Sequence, residues 1–267
     1  MFKDITLGQY MPGNTVVHRL DPRAKILLTI VYIAMVFTVS SPVFYIIPAA
    51  YVYISARLSG ISFRQLLKSV KPLRFLLILT FVLNIFFSGG ATILVQWKFI
   101  KISQEGLLLA IHFSLRLIFL VLGTSIITLT TSPVALSDGI EILLTPLKKV
   151  RFPVHELAMM MTIALRFIPT LIEETDKIMK AQKARGADFE SGNLIARAKA
   201  MTPLLVPLFV SAFRRAGELA MAMEARCYHG GEGRTRLRVL RYTGEDGWAF
   251  ALSFGMLLML IACNIWL

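Results

Sequence analysis

The chain has 267 residues, of which 56% are hydrophobic and 17% are charged, and it carries a formal net charge of +13. Soluble domains average about 45–50% apolar and about 25% charged residues, so the composition predicts a membrane protein and excludes an ordinary soluble domain. In a membrane protein, excess Lys and Arg mark the cytoplasmic loops, so the positive charge predicts topology rather than nucleic-acid binding.

Residues 1–132 are predicted to form an N-terminal membrane region. Asp21 and Pro22 have the pattern of a helix N-cap followed by proline at the first helical position, and Ser132 and Pro133 repeat it. Alternating, β-branched and aromatic residues at 91–103 predict a short extracellular hairpin. The predicted spans of this region cover about 25–40, 42–57, 73–88 and 105–131.

Residues 133–246 are predicted to form a cytoplasmic or membrane-surface domain, because their two apolar stretches do not suit a span. The first stretch contains Arg166 and Pro169, and the second has about 14 residues with two prolines, where a span needs about 20 residues. Residues 247–267 form an uncharged run that predicts a fifth span. The fold class is therefore predicted to be an all-α membrane protein with about five transmembrane helices and a domain of long, crossing amphipathic helices.

The distribution of basic residues predicts the orientation. Residues 19–25, 57–74 and 133–246 are basic, whereas the turn near residue 41 is uncharged. The basic side of a membrane protein is the cytoplasmic one. A multi-pass protein of the cell membrane is therefore expected, with the N-terminus and the 133–246 domain in the cytoplasm.

A run of small residues in the central domain predicts a contact between helices. Ala212, Ala216 and Ala220 recur every four residues and share one helix face. Such a face allows another helix to cross closely, although ordinary helix packing would explain it as well.

A short pattern occurs twice in the same domain, at residues 181–185 and 222–226. Each copy reads Ala, any residue, a charged residue, Ala, Arg, and each ends a long helical stretch. A single arginine at a helix C-terminus is explained by the helix dipole, but a duplicated one predicts two similar sites that bind carboxylates of a partner. The predicted binding residues are Ala184, Arg185, Gly186, Ala225, Arg226 and Cys227.

Four segments give the chain a specific resemblance. They are Met11 to Ile26, Thr130 to Val150, Phe152 to Phe189 and Glu224 to Gly231. In these segments the chain resembles the transmembrane T component of energy-coupling factor transporters, the vitamin-uptake branch of ATP-binding cassette systems. The resemblance covers most of the chain.

The resemblance implies that the central domain couples ATP hydrolysis to transport. In that family two arginine motifs end crossing coupling helices and insert into two ATPase subunits, which bind ATP and magnesium. Lys183 and Glu224 occupy the same place in the two patterns, so the two sockets are expected to differ, as in a heterodimer. A separate membrane protein, the S component, is expected to hold the vitamin.

An apolar platform for interchangeable S components is predicted from adaptable methionines, which are frequent on surfaces that accept several partners. Core filling is the alternative for most of these methionines. The platform residues are Met159, Met160, Met161, Leu204, Leu205, Leu208 and Phe209.

No cofactor, metal site or catalytic residue is predicted for this chain. The segment 230–236 lacks the Lys-Ser/Thr ending of a phosphate-binding loop. A self-contained permease is the alternative function, but the spans hold few polar residues. An intramembrane enzyme is disfavoured because the spans hold no paired carboxylates. His112 and Arg116, one turn apart in the fourth span, are interpreted as structural.

Overall fold

The computed structural model describes residues 10–87, 93–97, 100–187, 189, 193, 201–231 and 239–266. Residues 1–9, 88–92 and 267 of the predicted membrane segments lie outside the described residues. The protein is an all-α membrane protein that carries one short β-hairpin. This result confirms the predicted fold class.

The helices of the described residues, in chain order, are α1 (Val16–Arg19), α2 (Pro22–Thr38), α3 (Ile46–Ser59), α4 (Phe63–Val70), α5 (Arg74–Phe87), α6 (Gln104–Thr130), α7 (Pro133–Leu144), α8 (Val154–Ala184), α9 (Thr202–Glu224) and α10 (Gly244–Trp266). Short 3₁₀ segments occupy Pro42–Tyr45, Lys71–Leu73 and Thr145–Val150. The hairpin consists of β1 (Ile93–Trp97) and β2 (Ile100–Ser103), which pair antiparallel and confirm the predicted hairpin.

Four helical segments in the described part of the chain are long and apolar enough to cross a membrane. They are Phe63–Phe87, Gln104–Thr130, Val154–Ala184 and Gly244–Trp266. Helix α8 is among them by length and composition, so its assignment to the membrane surface stays a prediction. Helices α2 and α3, which belong to the first two predicted spans, have 17 and 14 residues. The count of five spans also stays a prediction.

The chain divides into two compact units. One comprises the described residues within 8–139 and 239–267 and is called the bundle unit here; the other comprises the described residues within 140–238 and is called the long-helix unit. The long-helix unit is shorter at both ends than the predicted central domain. One reason lies in α7, where Gly139 packs against Pro22 and Ile26 of the bundle unit.

The core of the bundle unit is formed chiefly by α2, α3 and α6, with Leu260 of α10. At its centre the buried Tyr32 donates a hydrogen bond from its hydroxyl to the Phe119 carbonyl, 2.7 Å away. Gly123 makes room for the ring, because a Cβ at that position would lie 1.9 Å from Tyr32 Cε1. Glycine therefore allows α2 and α6 to approach closely around a large side chain.

The buried carboxylate of Asp246 joins the beginnings of α2 and α10. Asp21 caps α2, since its Oδ1 accepts a hydrogen bond from the Arg23 amide at 2.9 Å, and this confirms the predicted cap. Asp246 accepts hydrogen bonds from the amides of Asp21 and Thr243, at 2.9 and 2.7 Å. The two helices are thereby fixed to each other at one end.

His112 and Arg116 of α6 have partners inside the bundle unit. Arg116 Nη2 lies 2.9 Å from His112 Nε2 and donates to the Val39 carbonyl at 3.2 Å. The Tyr45 hydroxyl donates to the His112 carbonyl, also at 3.2 Å. These contacts tie the segment between α2 and α3 to α6, as the structural interpretation of the two residues requires.

Candidate functional site

Helices α8 and α9 dominate the long-helix unit and pack against each other. Helix α8 has 31 residues and is about 46 Å long at 1.5 Å per residue. Arg215 Nη2 of α9 donates to Glu174 Oε2 of α8 at 2.8 Å, which fixes one point of contact. The C-terminal ends of both helices therefore belong to one packed pair of helices.

The predicted crossing residues lie together at this contact. Ala212, Ala216 and Ala220 line a groove of about 300 Å³ on α9, opposite Ile163, Phe167 and Leu171 of α8. Their small side chains leave this space open between the helices. The structure thus places the alanines on the side of α9 that faces α8.

Helix α8 ends in a Schellman motif centred on the first arginine. The Gly186 amide donates to the Lys183 carbonyl at 3.0 Å, and the Ala187 amide donates to the Gln182 carbonyl at 3.0 Å. Gly186 has φ +88°, the left-handed conformation that closes such a motif. Arg185 is consequently the last residue before the chain reverses.

Helix α9 ends in the same motif, centred on the second arginine. The Cys227 amide donates to the Glu224 carbonyl at 2.9 Å, and the Tyr228 amide donates to the Met223 carbonyl at 3.1 Å. Cys227 has φ +55° and occupies the position that Gly186 occupies in α8. Arg185 and Arg226 therefore stand at equivalent places in two equivalent helix ends.

Both arginines are presented to the outside of the chain. Arg185, Arg226 and the alanines that precede them, Ala184 and Ala225, are all exposed. Within the described part of the chain, neither guanidinium has a hydrogen-bond or ion-pair partner. Each keeps its full set of forked N–H donors for a carboxylate of another molecule.

A contact that the sequence analysis missed fixes the chain after α9. His155, at the start of α8, bonds through Nδ1 to Glu141 Oε1 at 3.0 Å. Gly231 packs on the His155 ring, so closely that a Cβ at Gly231 would lie 2.5 Å from His155 Cδ2. No local signal in the sequence links residues this far apart, although the paired glycines at 230 and 231 mark a turn.

This contact sets the separation of the two arginines. Arg226 lies five residues from Gly231, so it is within about 24 Å of His155 even if the intervening chain is fully extended. Arg185 lies at the other end of α8, about 45 Å from His155 along the helix. The Cα atoms of Arg185 and Arg226 are therefore at least about 20 Å apart, too far to enter one socket.

The predicted platform residues are divided between surface and interior. Met160, Met161, Leu205 and Phe209 are exposed, and Met159 and Leu208 are half-buried. Leu204 is only 4% exposed and does not contribute to the outer surface. The exposed members of α9 continue with Val206, Val210 and Phe213 as an apolar stripe one or two residues wide.

No group of three or more metal-ligating side chains occurs in the described residues. The fold and the site together define a class: a helical membrane protein that presents, at the ends of long packed helices, two matched arginines with no partner among the described residues. Sequence comparison identifies the family within that class. Residues 13–237 match the CbiQ family model, described as cobalt transport protein.

Several relatives carry the name energy-coupling factor transporter transmembrane protein EcfT. The protein of Clostridium kluyveri is 55% identical over 267 residues, covering 100% of this chain and 99% of the relative. Those of Acidaminococcus fermentans and Bacillus subtilis are 56% and 50% identical over 246 residues, covering 92% of this chain and 91% and 93% of the relatives. The chain belongs to the EcfT family of transmembrane proteins of energy-coupling factor transporters.

Proposed function

We propose that this chain is the coupling component of an energy-coupling factor transporter, in which it links ATP hydrolysis by two cytoplasmic ATPase subunits to reorientation of a vitamin-binding S component. The observation that supports the proposal most is the pair of matched helix ends. Arg185 and Arg226 share one backbone geometry, lack partners in the described part of the chain, and lie at least about 20 Å apart. A partner with two similar sockets fits this arrangement.

Each arginine binds a carboxylate-bearing socket on one ATPase subunit. A guanidinium forms two parallel hydrogen bonds with a carboxylate, which lysine cannot reproduce. Lys183 precedes the first arginine by two residues, and Glu224 precedes the second by two. The sockets therefore differ in charge beside the arginine, as two subunits of a heterodimer would. ATP and magnesium bind to those subunits and not to this chain.

Motion of the ATPase pair reaches the membrane through the two long helices. Because α8 and α9 pack against each other and are joined by the Glu174–Arg215 ion pair, a shift at either arginine moves both helices. The exposed apolar residues Met160, Met161, Leu205 and Phe209 form the surface that receives the S component. The helix ends lie in the cytoplasm, and the bundle unit lies in the cell membrane.

The test replaces both arginines with lysine, which keeps the charge and removes the fork. The control is the double variant Arg166→Lys and Arg214→Lys, which changes exposed arginines on the same two helices. A hydrogen bond to a charged group contributes about 1.5–3 kcal/mol, so losing one at each socket weakens ATPase binding at least about tenfold at each site. Co-purification of the ATPase subunits should fall in the Arg185→Lys, Arg226→Lys variant only. Normal co-purification and normal vitamin uptake by that variant would refute the proposal.

A further inference from the structure

The bundle unit contains a cavity of about 340 Å³ between α2, α3, α6 and α10, with Val16, Val17 and Leu20 at one end. Its walls are mainly apolar and include Leu28, Ile54, Ile126 and Leu252. None of the contacts proposed for the ATPase subunits or the S component uses this cavity. The volume, the lining residues and the opening of this cavity restrict the kind of molecule that fits it.

A buried ammonium group lies in the cavity lining. Lys25 is only 6% exposed, and its Nζ donates to the carbonyls of Thr130 and His18, at 3.0 and 3.2 Å. An ammonium carries three N–H donors, so one has no hydrogen-bond partner among the described residues. No described carboxylate forms a salt bridge with Lys25. A ligand in the cavity can accept this third hydrogen bond.

The charges around Lys25 favour a neutral acceptor. Asp21 is paired with Arg23, and Asp246 acts on Lys25 through space while accepting amide hydrogen bonds. Glu245 also lines the cavity. These three carboxylates already exceed the two cations in number, so an additional anion would be repelled. A carbonyl oxygen accepts the hydrogen bond without adding charge.

The residues at the mouth of the cavity favour a hydrocarbon ligand. Val16, Leu58 and Trp248 all line the cavity and are 45%, 50% and 80% exposed. An apolar rim of this kind favours contact with lipid over water. A helix of a partner protein is too thick, because a 10 Å length of helix about 10 Å in diameter fills roughly 800 Å³. A single hydrocarbon chain fits.

The polar and apolar ends of the cavity are arranged as in a membrane lipid. Lys25 and Tyr32 both line it and are seven residues apart on α2, which places them about 10 Å apart along the helix. We propose that the cavity holds one acyl chain of a membrane phospholipid, with the ester carbonyl of that chain accepting a hydrogen bond from Lys25 Nζ.

The test uses photoreactive lipid. The chain, in complex with its transporter partners, is reconstituted with phosphatidylcholine that carries a diazirine in one acyl chain, illuminated, and mapped by mass spectrometry. Cavity residues should be labelled several-fold more than Phe75 and Phe87, which are exposed on α5. Ala249→Phe, which fills the cavity from α10, should abolish this excess, whereas Ala251→Phe on the exposed side of α10 should preserve it. Equal labelling of the cavity and α5, or an unchanged excess in Ala249→Phe, would overturn the proposal.

The role of the ester carbonyl is tested by competition with unlabelled lipid. Diester phosphatidylcholine should displace the photoreactive lipid from the wild-type cavity several-fold better than diether phosphatidylcholine, which has no ester carbonyl. Lys25→Met keeps an unbranched side chain of nearly the same length without the ammonium group and should remove this preference. Phosphatidylglycerol should compete no better than phosphatidylcholine. Equal competition by diester and diether lipids in the wild type, or stronger competition by phosphatidylglycerol, would contradict the assigned hydrogen bond even if Lys25→Met failed to fold.

Discussion

Gly186 and Cys227 occupy the same left-handed position in the two helix ends, each one residue after the exposed arginine. Left-handed backbone is free for glycine and costs about 1–2 kcal/mol for other residues. The two helix ends therefore have the same backbone conformation, but at the end of α9 this conformation is strained because the residue is Cys227 and not glycine. The geometry itself, and not the residue type, is what the two motifs share.

Cys227→Gly should stabilise the end of α9 by about 1 kcal/mol, because it removes the strain while the hydrogen bonds of the motif remain. The midpoint of thermal unfolding in detergent should therefore rise, and ATPase binding should be retained. Reduced ATPase binding by Cys227→Gly would show that the thiol, and not the backbone geometry, is needed.

Gly186→Ala should have the opposite effect. At φ +88° the added Cβ strains the backbone by about 1–2 kcal/mol although no atom obstructs it. Arg185 should lose its fixed position, and hydrogen exchange at residues 183–187 should accelerate. Gly217→Ala is the matched control, since a Cβ there also meets nothing within 4 Å but the residue is inside α9. If both variants behaved alike, the left-handed conformation would not matter.

Gly231→Ala should loosen the chain that follows Arg226. The new methyl group would displace the His155 ring and disturb its bond to Glu141. We expect faster hydrogen exchange at residues 225–231 and weaker binding of one ATPase subunit. Gly244→Ala, where a Cβ meets nothing within 4 Å, should leave both measurements unchanged. Unaltered exchange in Gly231→Ala would mean that the His155 contact does not hold the motif.

Gly123→Ala should destabilise the bundle unit by about 1–3 kcal/mol, because the new Cβ would overlap the Tyr32 ring, which is held in place by its hydrogen bond to the Phe119 carbonyl. Thermal unfolding in detergent measures this loss. Gly255→Ala in α10 is the control, since a Cβ there meets nothing within 4 Å. A loss of equal size in both variants would contradict the packing account.

Protonation of Asp21 in acid should lower the free energy of unfolding of the bundle unit. Burial raises the pKa of this carboxyl, but hydrogen bonds from Arg23 and the charges of Arg23 and Lys25 outweigh burial and hold the pKa below its usual value. Its stabilising contribution is therefore present above the unfolded pKa of about 3.9 and is lost as the pH falls through the folded pKa. Below about pH 4, the midpoint of thermal unfolding should decrease more for the wild type than for Asp21→Asn. Parallel pH profiles would contradict this.

Local signals in the sequence were sufficient for several elements. The caps at Asp21 and Ser132 were recognisable because each depends on residues that are neighbours in the chain. The repeated Ala-Arg pattern likewise located both helix ends. The left-handed conformation of Cys227 had no such signal, since cysteine does not favour it.

Contacts between distant parts of the chain could not be predicted in this way. The hydrogen bond from the Asp21 amide to Asp246 joins residues 225 positions apart, and the packing of Gly231 on His155 depends on how α8 and α9 are folded together. Both depend on tertiary packing, which periodicity and spacing do not encode. The burial of Leu204 within an otherwise exposed apolar stretch has the same origin.

The central claim is that the two arginine ends enter sockets on two different ATPase subunits. Ala184 and Ala225, which are exposed beside Arg185 and Arg226, are suitable positions for a photo-crosslinking amino acid introduced one at a time. In the assembled complex, each crosslinker should label a groove on one subunit, and the two positions should label different subunits. Labelling of one and the same subunit from both positions, or of neither subunit from either position, would contradict the account.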